Sequence, residues 1–127
     1  MIKMLGDESS LEFLRENDFG RLGCVLESGE PYVVPVNYLF VDGEIHIHSL
    51  PGQKTLAVEG NPKVCLQVDE VRERGLDWKS VIVFGEFTKI TERNRKTEIL
   101  YEFYEKFPRF TPVEAKFDNE TSIKMVL

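Results

Sequence analysis

Apolar residues alternate from Tyr32 to Val41 and again from Glu44 to Ser49, with Asp42-Gly43 between the two runs. Both turn residues tolerate positive φ, so the sequence predicts a β-hairpin with a type I′ turn. In the second run Ile45 and Ile47 point inward, while Glu44, His46 and His48 share the other face. The first run is apolar on both faces: Tyr32, Val34, Val36, Tyr38 and Phe40 alternate with Val33, Pro35, Leu39 and Val41, and only Asn37 interrupts. Such a strand suits a barrel wall covered on the outside by a helix or a second subunit. Pro35 has no N–H, so the strand needs a bulge or an unpaired position there.

The same patterning places further strands at Arg21 to Glu27, Val64 to Val71, Trp78 to Ile90 and Thr121 to Leu127. Gly85 marks a bulge or sharp coil in the long third of these. Ser9-Ser10-Leu11-Glu12 fits a capping box ahead of a short helix from Ser10 to Asn17 that plugs one barrel end. Gln53 to Glu59 makes about two helical turns and stops at Gly60-Asn61-Pro62. Glu92 to Phe107 is the longest helix, with Ile99, Leu100, Phe103 and Phe107 on its apolar face. Strands outnumber helices, and closure would hide edges that are otherwise exposed and apolar. The expected fold is a mainly β, antiparallel barrel with peripheral helices, and residues 1–127 read as a single domain.

Composition narrows the function classes. With 42% hydrophobic and 30% charged residues the chain is an ordinary globular sequence. Its net charge of −6, spread along the chain, disfavours nucleic acid as a partner. No apolar run approaches the ~18 residues that span a bilayer, and the first ten residues lack a signal-peptide core, so the expectation is a cytoplasmic protein without a membrane partner. Cys24 and Cys65 sit in apolar runs without neighbouring ligands and read as small buried hydrophobes. His46 is read as a surface or interface residue. As metal ligands His46 and His48 would want a third, which the local sequence does not supply, so no metal site is expected.

One stretch has the makings of an anion site. Ser49-Leu50-Pro51-Gly52-Gln53-Lys54 leads from a strand into a helical segment, where backbone N–H groups and the Lys54 ammonium would hold a phosphate. On spacing alone, a plain strand-to-helix loop with a surface lysine is the simpler reading.

The order FLRENDFGRLGCV, PYVVPVNYLFVDGEIHIHS, PGQKTLAVEGNPKVCLQVDE and WKSVIVFGEFTKI resembles the pyridoxamine 5′-phosphate oxidase-like FMN-binding split barrels, and among them the group related to the nitroimidazole reductases. The resemblance implies a six-stranded split barrel that forms a homodimer, with FMN in clefts at the subunit interface. By position, Ser49 and Lys54 match phosphate-binding residues, with His48 and Gln53 beside them. Pro35, Val36, Asn37 and Tyr38 match the strand whose backbone lies against the isoalloxazine ring. Trp78, Lys79 and Ser80 match the strand that reaches the ring from the second subunit. A cation is disfavoured by the dipole at a helix start, which adds weight to phosphate binding by Lys54. His48 is either a hydrogen-bonded rim histidine or a contact to phosphate or substrate as a proton donor; no residue stands out as the catalytic acid or base. Asn37 in an apolar strand needs a partner, and a ligand would supply one. Tyr38 and Phe40 are as readily core as flavin-stacking.

The chain ends at Val126-Leu127, before the aromatic and basic residues that hold pyridoxamine phosphate in the true oxidases, so oxidation of that substrate is not expected. What the resemblance implies instead is an FMN-dependent oxidoreductase acting on a small electrophilic molecule, a nitroaromatic for example. A non-enzymatic flavin-binding or sensor protein, or a split barrel holding haem or a deazaflavin, are the rival readings.

Overall fold

A computed structural model describes residues 6–49, 57, 59–106 and 121–126, the side chains of 48, 49, 104 and 121–126 excepted. In chain order the elements are α1 (Asp7–Glu16), β1 (Phe19–Val25), β2 (Pro31–Asn37), β3 (Leu39–Val41), β4 (Glu44–Ser49), β5 (Lys63–Arg72), a 3-10 turn (Glu73–Gly75), β6 (Asp77–Lys89), α2 (Arg93–Lys106) and β7 (Thr121–Val126). The strands form one antiparallel sheet in the order β2-β1-β5-β6-β7-β4-β3.

The long apolar run is two strands. β2 ends at Asn37, β3 begins at Leu39, and the two lie at opposite edges of the sheet with Tyr38 alone between them. Edges joined by one residue can only be neighbours if the sheet curls round, and β2 accordingly packs against β4. The hydrogen-bond ladder stays open there, which makes the barrel a split one, and the division at Tyr38 raises the strand count among the described residues from six to seven.

The inner face of the sheet holds a single core that includes Leu22, Val36, Tyr38, Ile45, Ile47, Leu66, Val68, Val81 and Phe87, with Phe13 and Leu14 of α1 closing one end. A smaller cluster of Leu39, Ile90, Ile99 and Phe103 joins α2 to the outer side of β3. The second apolar face of the run is thus half covered by a helix: Leu39 is buried, while Val33 is 66% exposed.

Four local expectations change. The capping box does not form: α1 starts at Asp7 behind Gly6, with no side-chain cap, and the Ser10 hydroxyl donates to the Gly6 carbonyl. The β5–β6 register runs unbroken from Lys63↔Glu86 to Arg72↔Asp77, so Gly85 is not a bulge. His46 is buried (1% exposed), not a surface residue, because its face of β4 is the one beside β3 and α2. Cys65 is only partly buried, unlike Cys24. The Gln53 to Glu59 helix lies largely outside the described residues; of it Ala57 joins the main core.

Candidate flavin cleft and the outer sheet face

Tyr38 organises the split. Its backbone N–H donates to the Asp18 carbonyl at 2.9 Å, and its phenol donates to the Leu14 carbonyl at 2.8 Å. The Leu14 carbonyl belongs to the last turn of α1, where carbonyls lack helical partners. Asn17 Nδ2 serves a second one, on Phe13, at 2.9 Å. Burial, with the Asp18 carboxylate adding to it, holds the Tyr38 phenol well above its ordinary pKa. The ring is fully buried, so Tyr38 is a core anchor and its side chain does not face a ligand.

The phase of the β1–β2 ladder decides what the neighbouring backbone offers. The Leu26 N–H donates to the Glu30 carbonyl at one end and the Tyr38 N–H to the Asp18 carbonyl at the other, so the even-numbered pairs between them exchange hydrogen bonds. Val33, Pro35 and Asn37 therefore turn their backbone polar groups away from β1, toward the open edge of the sheet. Pro35 sits in an unbroken register opposite Arg21 with no bulge, in the phase where a missing N–H costs no ladder bond. An open strand edge with an amide donor at Asn37 fits the polar rim of a planar heterocycle, and β4 packs alongside.

The side chains of the candidate residues divide between two faces. Val36 and Tyr38 point into the core. Pro35, Asn37, Trp78 and Ser80 belong to the outer face, Pro35 in the cross-strand row Pro35–Arg21–Gln67–Ile82. One row further along, Asn37 pairs with Phe19, and Asp69 pairs with Ser80. His48 and Ser49 close β4, paired with Ser122 and Thr121 of β7. Gln53 and Lys54 lie outside the described residues.

The outer face also carries polar residues that no spacing in the sequence groups. Arg21 contacts Asp69 at 3.0 Å and lies over the Phe19 ring. Gln67 Nε2 donates to Asp69 Oδ2 and to Ser80 Oγ, each at 3.0 Å. This chain of contacts fixes the Ser80 hydroxyl near the start of β6. Around it the surface is apolar: Val33, Ile82 and Phe84 are 66, 56 and 76% exposed, and Trp78 is half exposed. Lys79 points the other way, its ammonium 5.4 Å from the centre of the Phe13 ring.

Residues 6–126 match the protein family described as pyridoxamine 5′-phosphate oxidase. The chain belongs to that family. An uncharacterized protein of Rhizobium meliloti (strain 1021) is 32% identical over 89 residues, which is 70% of this chain and 58% of that one, so the aligned part spans less than two thirds of that relative. Among solved structures, a FAD-binding protein from Mesorhizobium loti superposes with a TM-score of 0.80 at 28% identity, covering 97% of this chain and 90% of the other. A candidate 5-nitroimidazole antibiotic resistance protein from Bacteroides thetaiotaomicron gives 0.77 at 19% identity, covering 98% and 81%. The split-barrel fold seen here is therefore the fold of this family.

Proposed function

We propose that this chain is a single-domain, homodimeric FMN-binding flavoprotein of the cytoplasm that passes electrons to a small electrophilic substrate. The reading is carried by the open edge of β2, where Pro35 leaves the ladder intact and Asn37 presents backbone groups beside β4. Asn37 and its neighbours would bind the polar edge of the ring. Ser49 and Lys54, with His48 and Gln53, would hold the phosphate where β4 ends. FMN, when bound, supplies reversible two-electron chemistry, and the protein supplies orientation and electrostatics. Backbone donors at the ring's polar edge stabilise the negative charge that reduction places there.

Distance supports the homodimer. Within one chain Ser80 lies three strands from Pro35, about 14 Å at the usual strand spacing, too far for both to touch one ring edge. A second copy brought against the apolar outer face would supply Trp78 and Ser80 to the ring held by β2. An isologous contact of this kind buries Val33, Ile82 and Phe84 of both chains. The Mesorhizobium loti relative is described as FAD-binding, so the nucleotide form is tested directly: titration with FMN and with FAD, followed by flavin fluorescence, should show saturable binding with FMN the tighter. A nitroaromatic acceptor with a nicotinamide donor is the first pair to assay, and flavin bound without turnover would favour the sensor reading.

A further inference from the structure

Among the described residues, no further strand flanks the outer end of the β5–β6 hairpin. β1 begins at Phe19, and its ladder with β5 runs through Arg21↔Gln67 to Gly23↔Cys65, so the pairs Glu70↔Lys79, Val71↔Trp78 and Arg72↔Asp77 project past the four-stranded face as a two-stranded arm. The two sides of this arm differ sharply. On the side that continues the inner face stand Glu70, Lys79, Arg72 and Asp77, two opposite-charge cross-strand pairs around a shallow depression, with Arg72 also ion-paired to Glu70. On the side that continues the outer face stand Val71, 57% exposed, and Trp78, 50% exposed. Leu76 at the tip is 86% exposed.

A two-stranded ribbon standing free in water gains nothing from directing a valine and a tryptophan to one side. The tip is also held in an unfavourable conformation: Glu73, Arg74 and Gly75 have φ of 49°, 57° and 94°, and two of the three are not glycine. Left-handed backbone is unfavourable at non-glycine residues and persists where the surroundings require that shape.

We propose that this arm is a clasp that closes over a second copy of the same chain, with Val71, Leu76 and Trp78 as its contact residues. The proposal rests on the dimer reading above and goes beyond it by assigning the arm. Area argues for it. The four-stranded part of the outer face, seven residues long at β1, projects roughly 24 by 19 Å, or about 450 Å², against the ~800 Å² per partner that a stable interface buries. The arm's three residue pairs extend that face by about 10 Å along two strands, and set Val71 and Trp78 beyond the polar pair Asp69↔Ser80.

Trp78 is the only tryptophan in the sequence, which makes the clasp directly readable. The full chain is diluted across its dissociation range while mass is followed by sedimentation and Trp78 by emission wavelength and acrylamide quenching. The clasp predicts blue-shifted, shielded emission in the dimer and a red shift with the same midpoint as dissociation. It also predicts that Leu76→Asp, with unchanged circular dichroism, raises the dimer dissociation constant at least tenfold. A stable dimer whose Trp78 stays open to acrylamide, or a Leu76→Asp variant that dimerises as well as wild type, overturns the clasp and leaves the dimer standing. A chain that is monomeric at every concentration overturns both.

Discussion

Replacing Tyr38 by phenylalanine tests the anchor on which the split of the barrel depends. The substitution removes one oxygen from a fully buried ring and leaves its packing volume in place, so cavity formation is not at issue. What is lost is the 2.8 Å hydrogen bond to the Leu14 carbonyl, and that carbonyl is then stranded in the last turn of α1. Leaving a buried acceptor unpaired costs about 1–3 kcal/mol. At this chain length each kcal/mol lowers the melting temperature by roughly 3–5 °C, so a drop of about 3–15 °C is expected. Denaturant unfolding followed by circular dichroism measures the loss directly, with unchanged m and a lower midpoint. Because the phenol faces α1 and not the outer surface, FMN affinity should stay within about twofold, well under the 1.4 kcal/mol of a tenfold change. Full stability with weakened FMN binding would refute the reasoning, since it would make Tyr38 a flavin contact and not a core anchor.

Three further outcomes concern single residues. Lys54→Ala should weaken FMN binding by about 1.5–3 kcal/mol, the worth of a hydrogen bond to a charged group, and unchanged affinity in a fluorescence titration would remove Lys54 as the phosphate anchor. Gly20→Ala would place a Cβ 2.7 Å from the Gln67 carbonyl oxygen of the adjacent strand, so it should destabilise the fold by about 1–3 kcal/mol in a denaturation series. The Tyr38 phenol is raised above its ordinary value of 10.0, so its contribution is intact below that pH. At higher pH the unfolded phenol ionises while the folded one stays protonated, the unfolded state binds fewer protons, and stability falls. The gap between wild type and Tyr38→Phe should therefore be constant from about pH 6 to 9 and narrow above about pH 10.

Much of the fold was legible because its signals are local. Asp42-Gly43 predicted a turn with two positive φ values, and Asp42 and Gly43 have φ of 53° and 76°. The stripe Ile99, Leu100 and Phe103 predicted the buried face of α2, and all three are 1% exposed. The break at Tyr38 left no local trace. Tyr38 and Phe40 keep the inward phase of β2 on both sides of it, and Leu39 and Val41 keep the outward one, so a period of two reads straight through the point where the chain changes edges. His46 was misplaced for a related reason: alternation shows that it opposes Ile45 and Ile47, but not that its face lies against α2. The Arg21–Asp69–Gln67–Ser80 contacts join residues up to 48 positions apart, and no spacing rule connects them. The lone glutamine in VCLQV is the one local signal that could have pointed to a polar neighbour across the sheet.

Titration of the purified chain with FMN, read by visible absorbance together with solution mass, tests the central claim most directly. A dimer that takes up one FMN per chain, with the flavin's two-banded absorption retained through gel filtration, is the predicted result. A chain that remains colourless at saturating FMN, or that binds it equally well as a monomer, would contradict the account.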